Sequence, residues 1–92
     1  MYVILVYDIN TEGQGQKILH KTFKICKKFL CHIQNSVFEG ELSDSQFLKL
    51  KLELSRYVRK DKDSVIVFQS REEKWLKKDF WGLQTDYTST FL

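Results

Sequence analysis

Tyr2-Val3-Ile4-Leu5-Val6-Tyr7-Asp8 is the stretch on which the fold turns. Six successive apolar residues, mostly β-branched or aromatic and with no polar residue marking a solvated face, are the pattern of a central strand covered on both sides. Asp8 ends the run. Asn10-Thr11-Glu12-Gly13 and Gly15 then supply loop residues before the pattern changes period. From 16 to 30 the residues Ile18, Leu19, Phe23, Ile25, Cys26, Phe29 and Leu30 recur at helical spacing. Opposite them Lys17, Lys21, Lys24 and Lys28 form one stripe along the exposed side, because i, i+4, i+7 and i+11 share a helix face.

Further along, His32-Ile33-Gln34-Asn35-Ser36-Val37-Phe38 has strand composition, and Glu39-Gly40-Glu41-Leu42 offers a bend with a short continuation. Two short strands and one bent strand are both compatible with it. Ser43-Asp44-Ser45-Gln46 is a capping box, with Ser at the cap and Gln three residues on. It opens a second helix expected to run to about residue 59, with Phe47, Leu50, Leu54, Tyr57 and Val58 on one face. Arg59-Lys60-Asp61-Lys62-Asp63 is a charged turn before a short buried strand over 64–69. Residues 72–81 form a short amphipathic segment whose Trp75, Leu76, Phe80 and Trp81 need covering, and 87–92 suit a terminal edge strand. The order gives a ferredoxin-like α+β sandwich, βαββαβ, with an extra C-terminal edge strand.

Length bounds the rest. Ninety-two residues make one domain, 1–92, which excludes a multidomain enzyme, with 72–92 as an extension expected to pack on a partner subunit. A chain this short buries only about 60% of its unfolded surface, so the core is thin and a homodimer is expected. No apolar run approaches the roughly 18 residues of a membrane span, and Met1 leads straight into the first strand; a cytoplasmic protein without membrane association is expected. Cys26 and Cys31 are too few for a disulfide framework and read as reduced thiols.

The formal net charge is +3, but it is distributed in patches, and 17–32 is the most basic segment. Such patches suit the phosphate backbone of nucleic acid as well as an ordinary solvated face. Lys outnumbers Arg, which favours phosphate attraction over the reading of base edges. A second basic cluster, Arg56, Arg59, Lys60, Lys62, Arg71, Lys74, Lys77 and Lys78, is diluted by Asp61, Asp63, Glu72 and Glu73.

Asp8 is the candidate catalytic and metal-binding residue, since a carboxylate at the end of an apolar strand emerges at the edge of the sheet. The plainer reading makes it the start of a turn with Asn10. No second acid is expected on a neighbouring strand, because the acids of 33–55 fall in a turn, a cap and a helix. A two-fold dimer supplies the missing ligand as Asp8 of the other subunit. Two carboxylates completed by water and phosphate oxygen suit Mg²⁺, which acidifies water and offsets charge on a phosphate without a Ser, Cys or His nucleophile. Zinc from His20, Cys26, Cys31 and His32 is disfavoured by spacing, and Gly13-Gln14-Gly15 lacks the third glycine and the Lys of a phosphate cradle. No Lys/Arg-Gly-Phe-type strand marks an RNA-recognition module.

Taken together, the segments resemble the CRISPR-associated adaptation proteins of the Cas-two type, small metal-dependent endoribonucleases. Tyr2 to Ile9 looks like the first strand of that family with its Asp, and Ile33-Gln34-Asn35-Ser36-Val37-Phe38-Glu39-Gly40 looks like its Gln-x-Ser-Val-Phe-Glu segment. The chain departs at Gln14, Gly15 and Gln16, where the family often carries Arg-Arg, and at Leu30, Cys31 and His32, where it often has Gly. The resemblance implies a homodimer with Asp8 of both chains at a shared metal. It also implies hydrolysis of single-stranded RNA or duplex DNA, and partnership with the CRISPR integrase in acquiring and integrating new spacers. The alternative is a non-catalytic subunit that bridges DNA in the integration complex.

Overall fold

The computed structural model describes residues 1–77, 79 and 81. The elements are β1 (Tyr2–Asp8), α1 (Gly15–Phe29), β2 (Cys31–Gln34), β3 (Val37–Glu41), α2 (Asp44–Ser55), β4 (Ser64–Ser70) and a 3₁₀ turn (Glu73–Trp75). The antiparallel sheet has the order β2-β3-β1-β4, which is the expected ferredoxin-like arrangement with β1 inside. The expected strand at 87–92, together with Phe80, Phe91 and Lys78, lies outside the described residues.

Alternation along β1 divides the sheet into two unlike faces. Val3, Leu5 and Tyr7 share one face with Phe38, Val65 and Val67, and α1 and α2 cover it; Leu5, Leu50, Leu54, Cys26 and Phe38 form the middle of the core. Phe23 of α1 packs edge-on to Phe38, with ring centroids 5.5 Å apart. The other face carries Ile4, Val6 and Asp8, flanked in register by Val37 and Glu39 on one side and by Phe68, Ile66 and Ser64 on the other. No helix covers it. Ile66 and Phe68 are 52% and 53% exposed, an unusual position for large apolar side chains.

Three local expectations need correction. The chain reverses at Asn35 and Ser36, not at 39–42, because Asn35 adopts a left-handed φ of 39° that Asn tolerates. Gly40 instead lies within β3, where a Cβ would come 3.2 Å from Leu30 Cδ2. Glu39 and Glu41 are consequently strand residues, not turn residues. Helix α2 stops at Ser55, short of 59: the Arg56 N–H bonds back to Glu53 O, and the N–H groups of Tyr57 and Val58 both reach Leu54 O. Tyr57 and Val58 still pack on the core from outside the helix, so apolar spacing overstates its length. At its start the capping box is as expected, with Gln46 N–H donating to Ser43 Oγ at 3.2 Å and Ser43 N–H to Gln46 Oε1 at 2.9 Å.

Gly15 opens α1 because nothing larger fits. A Cβ there would lie 2.0 Å from the carbonyl oxygen of Asn10 and 2.8 Å from its carbon, and backbone atoms cannot swing aside. Gly15→Ala should cost about 2–4 kcal/mol, seen as a lower urea midpoint at unchanged m-value. A midpoint equal to that of the unmodified chain would mean that the loop before α1 is free to shift.

Candidate metal and phosphate-binding sites

Asp8 is exposed at the end of β1, paired in register with Ser64 and projecting to the open face of the sheet. Its carboxylate has no hydrogen bond or ion pair among the described residues. The turn that follows is built by others: Asn10 Oδ1 accepts from Glu12 N–H at 2.8 Å, and Asp63 Oδ1 accepts from Asn10 N–H at 3.0 Å. Asp8 is therefore not the turn-forming residue of the plainer reading. Glu39 and Glu41 do not join it, since Glu39 lies opposite Ile4, four residues or about 13 Å back along β1. Among the described residues no three His, Cys, Asp or Glu side chains gather around a metal-sized space.

Glu39 has a different function. Tyr2 Oη donates to Glu39 Oε2, and both residues are buried at the far end of the open face. Burial, then the neighbouring Glu39, pushes the Tyr2 hydroxyl well above its ordinary value.

Arg59 and Asp63 form a latch that composition alone counts as a charged turn. Asp63 accepts from Arg59 Nε at 3.0 Å and from Arg59 N–H at 2.8 Å, while Arg59 Nη1 donates to Glu12 O at 2.9 Å and Nη2 to Asn10 O. The latch ties the β1–α1 loop, just beyond Asp8, to the start of β4. The i,i+4 spacing of Arg and Asp is the only trace of it in the sequence. The side-chain hydrogen bond from Arg59, aided by the backbone N–H groups of Arg59 and Asn10, holds the Asp63 carboxyl down to about 2 from 3.8, against burial. A carboxyl depressed by folding adds stability above its unfolded value and loses it as pH falls through the folded one, so the latch weakens between about pH 4 and pH 2. Over that window the melting temperature of the unmodified chain should fall more steeply than that of Asp63→Asn; parallel curves would exclude the latch as the cause.

Lys17 lies on the exposed face of α1, but Lys21, Lys24 and Lys28 are turned toward α2. With Ile25, Glu53, Arg56 and Tyr57 they line a cleft between the helices, and Lys28 Nζ bonds Glu53 Oε1 at 2.5 Å. The stripe is therefore half of a two-helix cleft and not simply a solvated face. Three of the eight residues of the second basic cluster are engaged in ion pairs within the chain: Arg59 with Asp63, Lys62 with Glu12, and Lys74 with Glu72. Arg56 belongs to the cleft.

Neither histidine nor cysteine contributes to a site. His20 is exposed, His32 packs edge-on to Phe23 and tilted against Phe38 and shares a hydrogen bond of its Nε2 with Asn35 O, and burial pushes the Cys26 thiol up to about 12.

The chain and its fold have counterparts among known proteins. Over all 92 residues the chain is 53% identical to the CRISPR-associated endoribonuclease Cas2 of Fusobacterium nucleatum subsp. nucleatum, covering 87% of that protein. It is 42% identical over 84 residues to the protein of the same name from Thermotoga maritima, with 91% of each chain covered. The crystal structure of Streptococcus pyogenes Cas2 at pH 6.5 superposes with a TM-score of 0.78 at 29% identity, over 89% of this chain and 100% of that one. Residues 1–78, which include Asp8, both helices and all four strands, match the family model for CRISPR associated protein Cas2, and the chain belongs to that family.

Proposed function

We propose that two copies of this chain pack open face to open face and that the dimer is a Mg²⁺-dependent endonuclease for RNA or DNA phosphodiester bonds. In this reading it partners the CRISPR integrase when new spacers are acquired. The observation carrying the proposal is the position of Asp8, a carboxylate without a partner among the described residues, at the end of an apolar strip in which Ile66 and Phe68 are exposed and Ile4 and Val6 half-buried. Burying that strip against a second copy draws the two Asp8 side chains toward one axis. Endonuclease chemistry is supported by the names of the Fusobacterium and Thermotoga relatives.

The donor set agrees with the ion only in the dimer. One carboxylate is a poor Mg²⁺ site, whereas two hard oxygen donors leave the positions for water and phosphate that this ion keeps. When bound, Mg²⁺ supplies an acidified water and charge relief at the phosphate. The chain's own contribution is to hold Asp8 in place through the β1–β4 register and the Arg59–Asp63 latch. Single-stranded RNA and duplex DNA should be cut with Mg²⁺ and left whole in EDTA; cutting that persists in EDTA contradicts the metal reading.

The bridging role has its own support, because the cationic cleft is in the helical layer, on the side of the sheet away from Asp8. Asp8→Ala separates the two roles: a bridge keeps integrase binding and spacer acquisition after cleavage is lost.

A further inference from the structure

We infer that the α1–α2 cleft is a phosphodiester-binding site in its own right, which grips the backbone of a nucleic acid strand remote from Asp8. It rests on the reading above that the chain works on nucleic acid. The cleft holds about 270 Å³ and is bounded by Lys21, Lys24 and Lys28 on one helix and Arg56 on the other, with Ile25 and Tyr57 completing its wall. Four cations against the one carboxylate of Glu53 give it a net +3, which equals the formal charge of the whole chain, so the remaining residues sum to zero. Like charges gathered in one concavity repel each other unless an anion is shared among them, and the field of a cleft is focused beyond that of a flat surface. The volume suits one or two phosphate groups with their sugars and is small for a dinucleotide cofactor.

Glu53 gives the site a built-in competitor. Its carboxylate, in a side chain 19% exposed, holds Lys28 at 2.5 Å, so an arriving phosphate takes Lys28 from it or bonds around it. Exposed ion pairs of this kind add little to folding, and the pair is more informative as a setting of affinity than as a stabilising contact. Removing the Glu53 charge should therefore strengthen binding, an effect that a mere solvated salt bridge would not show.

Fluorescence anisotropy of a labelled oligoribonucleotide and a labelled DNA duplex, titrated at several salt concentrations with the full chain, tests the inference. Lys24→Gln combined with Arg56→Gln should lower duplex affinity about tenfold and reduce the salt slope by about 2. Glu53→Gln should raise affinity about threefold, and the charge-matched pair Lys60→Gln with Lys77→Gln should change it less than twofold. Equal losses from both pairs, or no gain from Glu53→Gln, overturn the cleft as a site. Competition by polyglutamate as effective as that by unlabelled oligonucleotide would overturn it in favour of an acidic protein partner. Circular dichroism confirms that each variant is folded. If binding and the cleft effects hold while cleavage never depends on Asp8, the endonuclease reading fails and the cleft stands. If Asp8-dependent cleavage holds while the cleft variants bind normally, only the cleft fails.

Discussion

Phe68→Asp should yield a folded monomer that no longer cleaves, although Asp8 is untouched. Phe68 lies on β4 directly opposite Ile4 and is 53% exposed, so the substitution places a carboxylate in the middle of the apolar face while disturbing little of the single chain. In a face-to-face dimer the same carboxylate would have to leave water without a partner, at a cost of several kcal/mol. Dimer affinity should fall at least about 100-fold, and light scattering at micromolar concentration should report the mass of one chain. A Phe68→Asp protein that stays dimeric would locate the interface elsewhere and remove the reason for bringing two Asp8 side chains together.

Asp8→Asn should have the opposite profile, an intact dimer with cleavage reduced about 100-fold or more. Asn keeps the shape of the residue and removes the charge on which a hard cation depends. Because Asp8 is exposed and has no partner among the described residues, folding stability should not move. Loss of stability together with activity would instead assign Asp8 a structural part that the Asn10 turn already fills.

Much of this was legible in the residues themselves. The unbroken apolar run of β1 announced an inner strand, and the capping box Ser43 to Gln46 marked the start of α2 to the residue. Both signals are local, although β1 is inner by pairing with β3 and β4 on either side and not by cover on both faces, since Ile4 and Val6 are only half-buried. What remained hidden depended on distant parts of the chain. Tyr57 and Val58 continue the apolar spacing of α2, yet the helix ends at Ser55 with its final N–H groups turned back, and Arg59 beyond them engages carbonyls nearly fifty residues away. Glu39 looked like a turn residue because Gly40 follows it. Gly40 lies in β3 close against Leu30, and Glu39 is buried against Tyr2.

For the site, the same division holds. Asp8 was visible as a charge closing an apolar strand, but its place on the open face beside Ile66 and Phe68 follows only from the β1–β4 register, which pairs Ile4 with Phe68, Val6 with Ile66 and Asp8 with Ser64. The lysine stripe was visible as a periodicity, and nothing in that periodicity showed Arg56 and Glu53 standing across from it on α2.

The shared Asp8 site is tested most directly by a dimer purified with one unmodified chain and one Asp8→Asn chain, assayed for Mg²⁺-dependent cleavage against the two homodimers. With both carboxylates needed at one ion, the mixed dimer should fall far below half of the unmodified activity, close to that of the Asp8→Asn homodimer. Activity near one half would contradict the shared site, because each subunit would then be cutting with ligands of its own.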